Sequence, residues 1–495
     1  MTSHLGIDIG TSSVKAVLIG SRQNLIAESS APLEVDRPRP LWSEQEPESW
    51  WTATESAISA LAAAAPREWN ELASIGLSGQ QHGATLLDAA GKALRPCILW
   101  NDGRSGAECR ELLDSVTDFT TRACNTTMPG FTAPKLLWVA KHEPEVFAKT
   151  AMILLPKDYV RFRMSGEYVS EMSDSAGTLW LNVAKRRWDA TLLAACGLTE
   201  AQMPRVVEGS QVSAFLSAQV AAEWGLAGRK VPIAGGGGDN ACSAVGIGAA
   251  RAGDGFLSLG TSGVIFTVTD HPVALPERTL HAFCHALPGR WHGMTVALSA
   301  ASALSWIARI TGAGADIQGL LARVERFASE PERRAHAPVF LPYLTGERTP
   351  HNDPHATAAF GGLCADHGPE ALVYAVLEGV AFALRDCLDV LVDAGAAPTS
   401  CLMVGGGSRS SYWAQLLADA TGLVLDVPNS AELGAAFGAA RLGMIAAGVS
   451  EQEVCIKPAI RASFSPDRAA IPLLGERATR MRAMYHNDQG RMSFA

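Results

Sequence analysis

Two aspartates stand where an apolar run breaks into glycine and hydroxyl residues. Asp8 lies in Leu5-Gly6-Ile7-Asp8-Ile9, ahead of Gly10-Thr11-Ser12-Ser13, and Asp239 follows four consecutive glycines, Gly235 to Gly238. A carboxylate at such a break can take a proton from a hydroxyl, or hold a hydrated Mg²⁺ against substrate phosphates. It can also simply cap a helix, since Asp and Asn are ordinary N-cap residues. For Asp239, which sits between the apolar run Val231 to Ala234 and the helix-like Ala241 to Val245, the local residues leave both readings open.

The turn after Asp8 reads as a β-hairpin, with Val14 to Ile19 as its returning strand. Its N–H groups and hydroxyls can wrap phosphate oxygens, which makes Thr11, Ser12 and Lys15 candidate nucleotide contacts. Half a chain later, Phe256-Leu257-Ser258-Leu259-Gly260-Thr261-Ser262-Gly263-Val264 repeats the pattern, with Gly260 and Thr261 in the matching places. Ser258 stands where the first copy has Asp8, so the pair offers one metal-side acid. A repeat at that separation implies two related lobes facing each other. Two phosphate hairpins on two lobes are the mark of the actin-like ATPase architecture, with the nucleotide in the cleft. Gly405-Gly406-Gly407, between the strand Cys401 to Val404 and a helix from Ser411, lets backbone approach an anion or a flat ring. With Ser410 it forms the candidate adenosine site. A P-loop is excluded, because Gly91-Lys92 is followed by Ala93.

A strand over Ser74 to Leu77 runs into Ser78-Gly79-Gln80-Gln81-His82-Gly83, and strand ends of this kind are where α/β proteins meet ligands. Amide and imidazole both donate and accept, so Gln81 and His82 suit a polyol; a satisfied structural histidine is the plain alternative. Ile98-Leu99-Trp100 ends in Asn101-Asp102-Gly103-Arg104, either an extension of that pocket with Trp100 as apolar wall, or a turn. His281, His285 and His292 invite a zinc reading through the helical spacing of the first two. Pro288-Gly289 interrupts, and no acid or thiol completes a tetrahedral set, so zinc is not expected.

The 495 residues are too many for one core, and 47% hydrophobic with 18% charged residues indicates a globular chain. A net charge of −9 without basic runs argues against a nucleic-acid surface. Ten scattered cysteines read as reduced core residues, no stretch suits a membrane span, and the N-terminus enters a strand directly, so a cytoplasmic protein is expected. The expected division is a sugar-side lobe over 1–250, a nucleotide-side lobe over 251–448 and an uninformative tail over 449–495, with the junction at Gly253-Asp254-Gly255. Helices are expected over Pro47 to Ala65 (Trp50 and Trp51 inside), Met294 to Ile310, Glu370 to Ala394, and Glu432 to Ala447, the last closing the second lobe.

Asp8 to Ser12, Gln80 to Asp88, Trp100 to Arg104, Phe131 to Trp138, Asp239-Asn240, Phe340 to Pro350 and Gly405 to Tyr412 together resemble the FGGY carbohydrate kinases. The resemblance runs from Leu5 to about Ala447 and is nearest to those members that act on xylulose. It implies an α/β fold of two ribonuclease-H-like lobes with the active site in the interlobe cleft. It implies ATP-dependent phosphorylation of a pentulose, D-xylulose at O5, with Asp239 as catalytic base and Asp8 supporting Mg²⁺ through water. Gln81, His82, Trp100, Asp239 and Asn240 are then the candidate sugar contacts, ATP and Mg²⁺ the cofactors, and a homodimer is compatible with the family. One departure stands out: the bacterial xylulose-specific members usually carry Met before the His, where this chain has Gln81. Ribulose or glycerol specificity is the nearest alternative, and a non-kinase actin-like ATPase the more distant one.

Overall fold

Leu5, Ile7 and Ile9 are fully buried and make β1 (Ser3–Ile9) the centre of the first sheet. The computed structural model describes residues 2–429 and 434–488. From β1 the chain turns back as β2 (Ser13–Gly20) and again as β3 (Leu25–Pro32), both pairings antiparallel. Pro47 opens α1 (Pro47–Ala64) at a position where its missing N–H is harmless, and Trp50 and Trp51 are buried beneath it. β4 (Leu72–Gly79) returns parallel to β1. An insertion follows that includes α2 (Thr132–His142), α3 (Pro156–Ser165) and the short α4 (Met172–Ala176). β5 (Val212–Phe215) and β6 (Pro232–Ala234) then complete the edge beyond β4. Two residues, β7 (Gly237–Gly238), pair parallel with Ser78 and Gly79 of β4 before α5 (Asp239–Gly246) begins.

The second lobe repeats this plan. β8 (Asp254–Leu259) and β9 (Gly263–Thr269) form the second hairpin, flanked by β10 (His281–Cys284) and β11 (Trp291–Ala297). Helices α6 (Ala301–Ile310), α7 (Ile317–Ala328) and the 25-residue α8 (Pro369–Asp393) follow. β12 (Ser400–Val404) lies parallel to β8 as β4 lies parallel to β1. After α9 (Ser411–Thr421) comes β13 (Leu425–Pro428), parallel to β12. Each lobe thus carries a seven-stranded mixed sheet built on an antiparallel meander with parallel strands beside its first member. The expected two-lobe α/β architecture is present.

Four elements differ from the sequence expectation. Met294 to Ala297 belong to strand β11 between β9 and β10, and the helix starts only at Ala301. The run is apolar and fully inside a sheet, and a buried strand then has no polar face to betray it. His281 lies on a strand, so the helical spacing to His285 has no structural meaning. The helix expected to close the second lobe, α10 (Ala435–Ala446), packs against β1 and β4 of the first lobe. A methyl on Gly6 or Gly76 would land on the carbonyl oxygen of Ala436 or Ala439, so these glycines admit the helix backbone onto the sheet. Glu432 and Leu433, the expected start of that helix, lie outside the described residues. Finally, the tail is structured: β14 (Ile460–Phe464) extends the second sheet, and α11 (Ile471–Asp488) docks through buried Arg477 onto Glu378 at 2.7 Å.

The ten cysteines are all unpaired, and only Cys364 is exposed. Among the described residues no helix is long and apolar enough to cross a membrane.

Candidate active site

Gly238 occupies the N-cap of α5, and Asp239 is its first helical residue. Asp239 therefore does not cap the helix. Its Oδ1 accepts the N–H of Asn240 at 2.7 Å and the Asn240 side-chain amide at 3.0 Å, and Oδ2 takes no part in either bond. The register of β7 on β4 brings this residue towards Asp8 on the neighbouring β1, whose Oδ1 accepts from the Ser78 hydroxyl at 2.8 Å. Burial and then the charge of Asp8 push the Asp239 carboxyl up to about 7. Burial likewise raises Asp8, opposed by the Ser78 hydrogen bond and the charge of Lys15. Two neighbouring acids that resist ionising together form a hard-oxygen donor set, which fits a divalent cation such as Mg²⁺.

The glycine stretch rests on a buried charged cluster. Arg161 of α3 donates to the Gly235 carbonyl, and the Gly238 N–H donates to Ser173 Oγ at 3.1 Å, which in turn donates to Glu171 at 3.0 Å. Lys157 contacts Asp158 at 2.8 Å, Asp174 at 3.1 Å and Glu171 at 3.6 Å, all of these side chains fully inaccessible. Three carboxyls face two cations there, and burial raises Asp174 towards the protonated form, which relieves the imbalance. Gly236, with φ of +79°, lies so close to the Leu77 carbonyl that any side chain would collide.

The first hairpin turn is held by side chains. Thr11 Oγ1 donates to Gln80 at 3.0 Å and accepts from Trp100 Nε1 at 2.9 Å, while Gln45 donates to the Thr11 carbonyl at 2.7 Å. Gln80 is thus consumed in bracing. Ser12 faces solvent. Lys15 lies opposite Asp8 in the β1–β2 register and pairs with Glu28 of β3 at 2.8 Å.

His82 adopts a left-handed backbone, φ +69°, and its carbonyl accepts from Lys135 at 3.0 Å and Thr132 at 3.1 Å, both on α2. Its Nδ1 lies 2.8 Å from the Gly177 carbonyl. A carbonyl only accepts, so Nδ1 carries the proton and Nε2 keeps a lone pair. Burial, followed by the charge of Lys135, lowers the ring to about 3, so it is neutral. His82 and Trp100 line an interlobe cavity of about 50 Å³ with Phe131 on one side and His281, Phe283 and Arg348 on the other. Gln81 is buried against the backbone of Gly238, where an added Cβ would sit 2.7 Å from its amide nitrogen, so it touches the residue before Asp239. Asp102 and Arg104 do not join the cavity. They pair at 2.7 Å and brace the loop through Glu44 and the face of Trp42.

In the second lobe, the Thr261 and Gly260 carbonyls accept the Ala300 and Ala301 N–H groups at 3.0 and 2.8 Å, joining the hairpin to the start of α6. Thr261, Ser302 and Arg309 line a groove of about 420 Å³. It adjoins a second groove of about 530 Å³ lined by Gly406, Gly407 and Ser410, with Ala301 and Ser305 common to both. Gly405, at φ +91°, turns the chain under Leu259 into this loop. Ser410 caps α9, accepting the Trp413 N–H at 3.2 Å. The opposite wall comes from Gln318, Leu321 and Glu325 of α7, which the motif reading missed; amphipathic periodicity over 317–328 was the available signal. The structure therefore gathers Asp8, Asp239 and Asn240, and sets His82 and Trp100 on the interlobe cavity, Thr261 on the first groove and Gly406, Gly407 and Ser410 on the adjoining one. Lys15 and Ser12 line none of the three.

Models of the FGGY family of carbohydrate kinases match the chain in two parts, the N-terminal domain over residues 3–246 and the C-terminal domain over 255–447. The chain is 48% identical over 484 residues to the xylulose kinase of Escherichia coli K12, covering 97% of this chain and 98% of that one. It superposes on the crystal structure of a xyloylose kinase from Brucella ovis with a TM-score of 0.94 at 49% identity, over 99% of each chain. The xylulose kinase structure from Rhodospirillum rubrum gives 0.90 at 29% identity, over 98% of each. With both domain models matched in order across nearly its whole length, the chain belongs to the FGGY family of carbohydrate kinases.

Proposed function

We propose that this kinase transfers the γ-phosphoryl group of ATP to O5 of D-xylulose, with Asp239 as general base. The observation that carries the reading is the Asp8–Asp239 pair, Asp8 on β1 and Asp239 at the start of α5, both placed by pairing with Ser78 and Gly79 of β4, with a small polar–aromatic cavity and the repeated Gly-Thr-Ser hairpins as the surrounding features. The near relatives named xylulose kinase support the choice of sugar.

A sugar hydroxyl is a poor nucleophile until its proton has an acceptor. Asp239 Oδ2 takes the O5 proton as the O5–P bond forms; the bond from γ-phosphorus to the bridging oxygen breaks, and its electron pair leaves with ADP. A carboxyl poised at about 7 is matched to this task at neutral pH. Asp8 would hold Mg²⁺ through water, and the cation would supply neutralisation of phosphate charge. Neutral His82 accepts a sugar hydroxyl through Nε2, and Trp100 both walls the cavity and fixes Thr11 beside the phosphates. Exclusion of water by lobe closure keeps the phosphoryl group from hydrolysis.

The test is ATP turnover against a panel of pentuloses and polyols, for wild type and Asp239→Asn. D-xylulose should be preferred, and the variant should still bind sugar while losing about 10²–10⁴ in kcat. Near-wild-type turnover by the variant would remove Asp239 from the mechanism, and preference for ribulose or glycerol would move the specificity.

A further inference from the structure

The buried arginines of this fold are committed to partners. Arg104 meets Asp102 and Glu44, Arg161 meets Asp158, Arg441 donates to the Val245 and Gly246 carbonyls, and Arg477 meets Glu378. Arg348 differs. Its guanidinium makes no hydrogen bond or ion pair among the described residues, although it is only partly accessible and lines the interlobe cavity.

Its neighbour Glu347 reaches it only as a nearby charge: Oε1 accepts the Leu298 N–H at 2.8 Å and the Arg348 N–H at 2.7 Å, while Oε2 is buried, has no hydrogen-bond partner among the described residues and forms no ion pair with the guanidinium. The backbone on either side is clamped as well, by Thr279 Oγ1 to the Arg348 carbonyl at 2.9 Å and by the Val296 N–H to Thr349 Oγ1 at 3.1 Å. Arg348 is thus aimed by a fixed loop. Five N–H donors facing a half-dry cavity are costly unless they find acceptors. The protein offers few. Phe131, Phe283, Met128 and Met294 are apolar, and His82 and His281 are neutral rings. The missing acceptors must arrive with a ligand.

We propose that Arg348 is a sugar-binding residue contributed by the second lobe. It donates to the oxygens of the ketose, the planar guanidinium fork matching a carbonyl oxygen and the hydroxyl beside it, while His82 holds the same molecule from the first lobe. The bound sugar then bridges the cleft. A phosphate partner is disfavoured by position: the cavity walls are aromatic and thioether groups, while Thr261 and the Gly406–Gly407 loop line separate grooves. This inference rests on the sugar-kinase reading above.

The experiment compares wild type with Arg348→Met and Arg348→Lys, measuring KM for D-xylulose, KM for ATP and kcat, together with calorimetric binding of D-xylulose without nucleotide. Loss of a charged hydrogen bond should raise the sugar KM and dissociation constant by about 10–100-fold in Arg348→Met. Arg348→Lys should fall between, and KM for ATP should stay within twofold in both. Sugar binding unchanged within twofold overturns the proposal, and so does an ATP KM that rises in step with the sugar KM. Should Arg348→Met fail to fold, Arg348→Lys decides by the same split. A wild-type protein that phosphorylates no ketose sinks the kinase reading itself, and is told apart from loss of the Arg348 role by that control.

Discussion

Asp239→Asn should make the cation-free protein more stable at alkaline pH, an outcome opposite to that of most active-site-neighbourhood substitutions. An unfolded chain sheds this proton near 3.8, whereas the folded chain keeps it until about 7. Between those values every rise in pH favours the unfolded chain; above 7 the whole penalty is present, and below 3.8 none of it is. The difference corresponds to roughly 4 kcal/mol at full strength. Water reaching the partly buried carboxylate reduces this to about 2 kcal/mol. Asn cannot ionise, yet its Oδ1 can still accept the Asn240 N–H, so the variant escapes the penalty and keeps the local geometry.

For a lobe of this size the gain translates into a melting-temperature rise of about 4–8 °C. The assay is thermal unfolding of both proteins in EDTA from pH 5.5 to pH 8.5. Midway through the titration range, at about pH 5.5, the gap should be roughly half its alkaline value. A variant that melts at or below wild type at pH 8, or a gap that does not change with pH, would refute the claim that Asp239 is held protonated by burial and by Asp8.

Three further substitutions test the packing of the two lobes. Gly76→Ala should drive α10 off the first sheet, because its methyl meets the Ala439 carbonyl backbone to backbone, and should cost about 3 kcal/mol or more in denaturant midpoint experiments. Gly475→Ala, in open space on α11, serves as the opposite control and should gain up to about 1 kcal/mol. Glu378→Ala strands the buried Arg477 guanidinium and should destabilise by about 3–5 kcal/mol, read by urea unfolding, with α11 losing protease protection first.

The chemistry of this chain was legible in its sequence wherever it depends on short-range pattern. Gly10-Thr11-Ser12 and Gly260-Thr261-Ser262 announce themselves because a hairpin is closed by neighbours in the chain, Gly10 N–H to Ser13 at 3.0 Å and Gly260 N–H to Ser262 at 3.1 Å. The pairing of Asp8 with Asp239 could be suspected but not placed, since it depends on two glycines joining β4 at a register only the fold supplies. Met294 to Ala297 misled because a strand buried on both faces and a buried helix share the same apolar composition. The destination of α10 was hidden for a different reason: its partners, β1 and β4, are some 360 to 430 positions away, roughly counted from the strand and helix bounds. Phe340 to Pro350, the stretch that holds Arg348, reads from sequence as an interlobe contact or a rigid connector and singles out no residue, since an arginine in a loop is informative through the partner it lacks.

The placement of α10 also changes what a closing motion can be. β13 lies in the second sheet, α10 in contact with the first, and β14 in the second again, so the chain crosses between lobes on both sides of this helix. α10 in turn grips α5, the helix that Asp239 begins: Arg441 donates to the Val245 and Gly246 carbonyls at 2.9 Å, and Gly438 lies against the Cys242 carbonyl. Backbone packed on backbone has no side-chain layer in which to slide. Rotation of the second lobe must therefore be absorbed outside the α5–α10 pair, in the connections that join this pair to the second lobe, while Asp239 stays fixed to the first sheet. On the mechanism proposed above, closure would move the second hairpin and Arg348 towards a stationary Asp239, so that the sugar hydroxyl would be set against this carboxyl before the γ-phosphate reaches it.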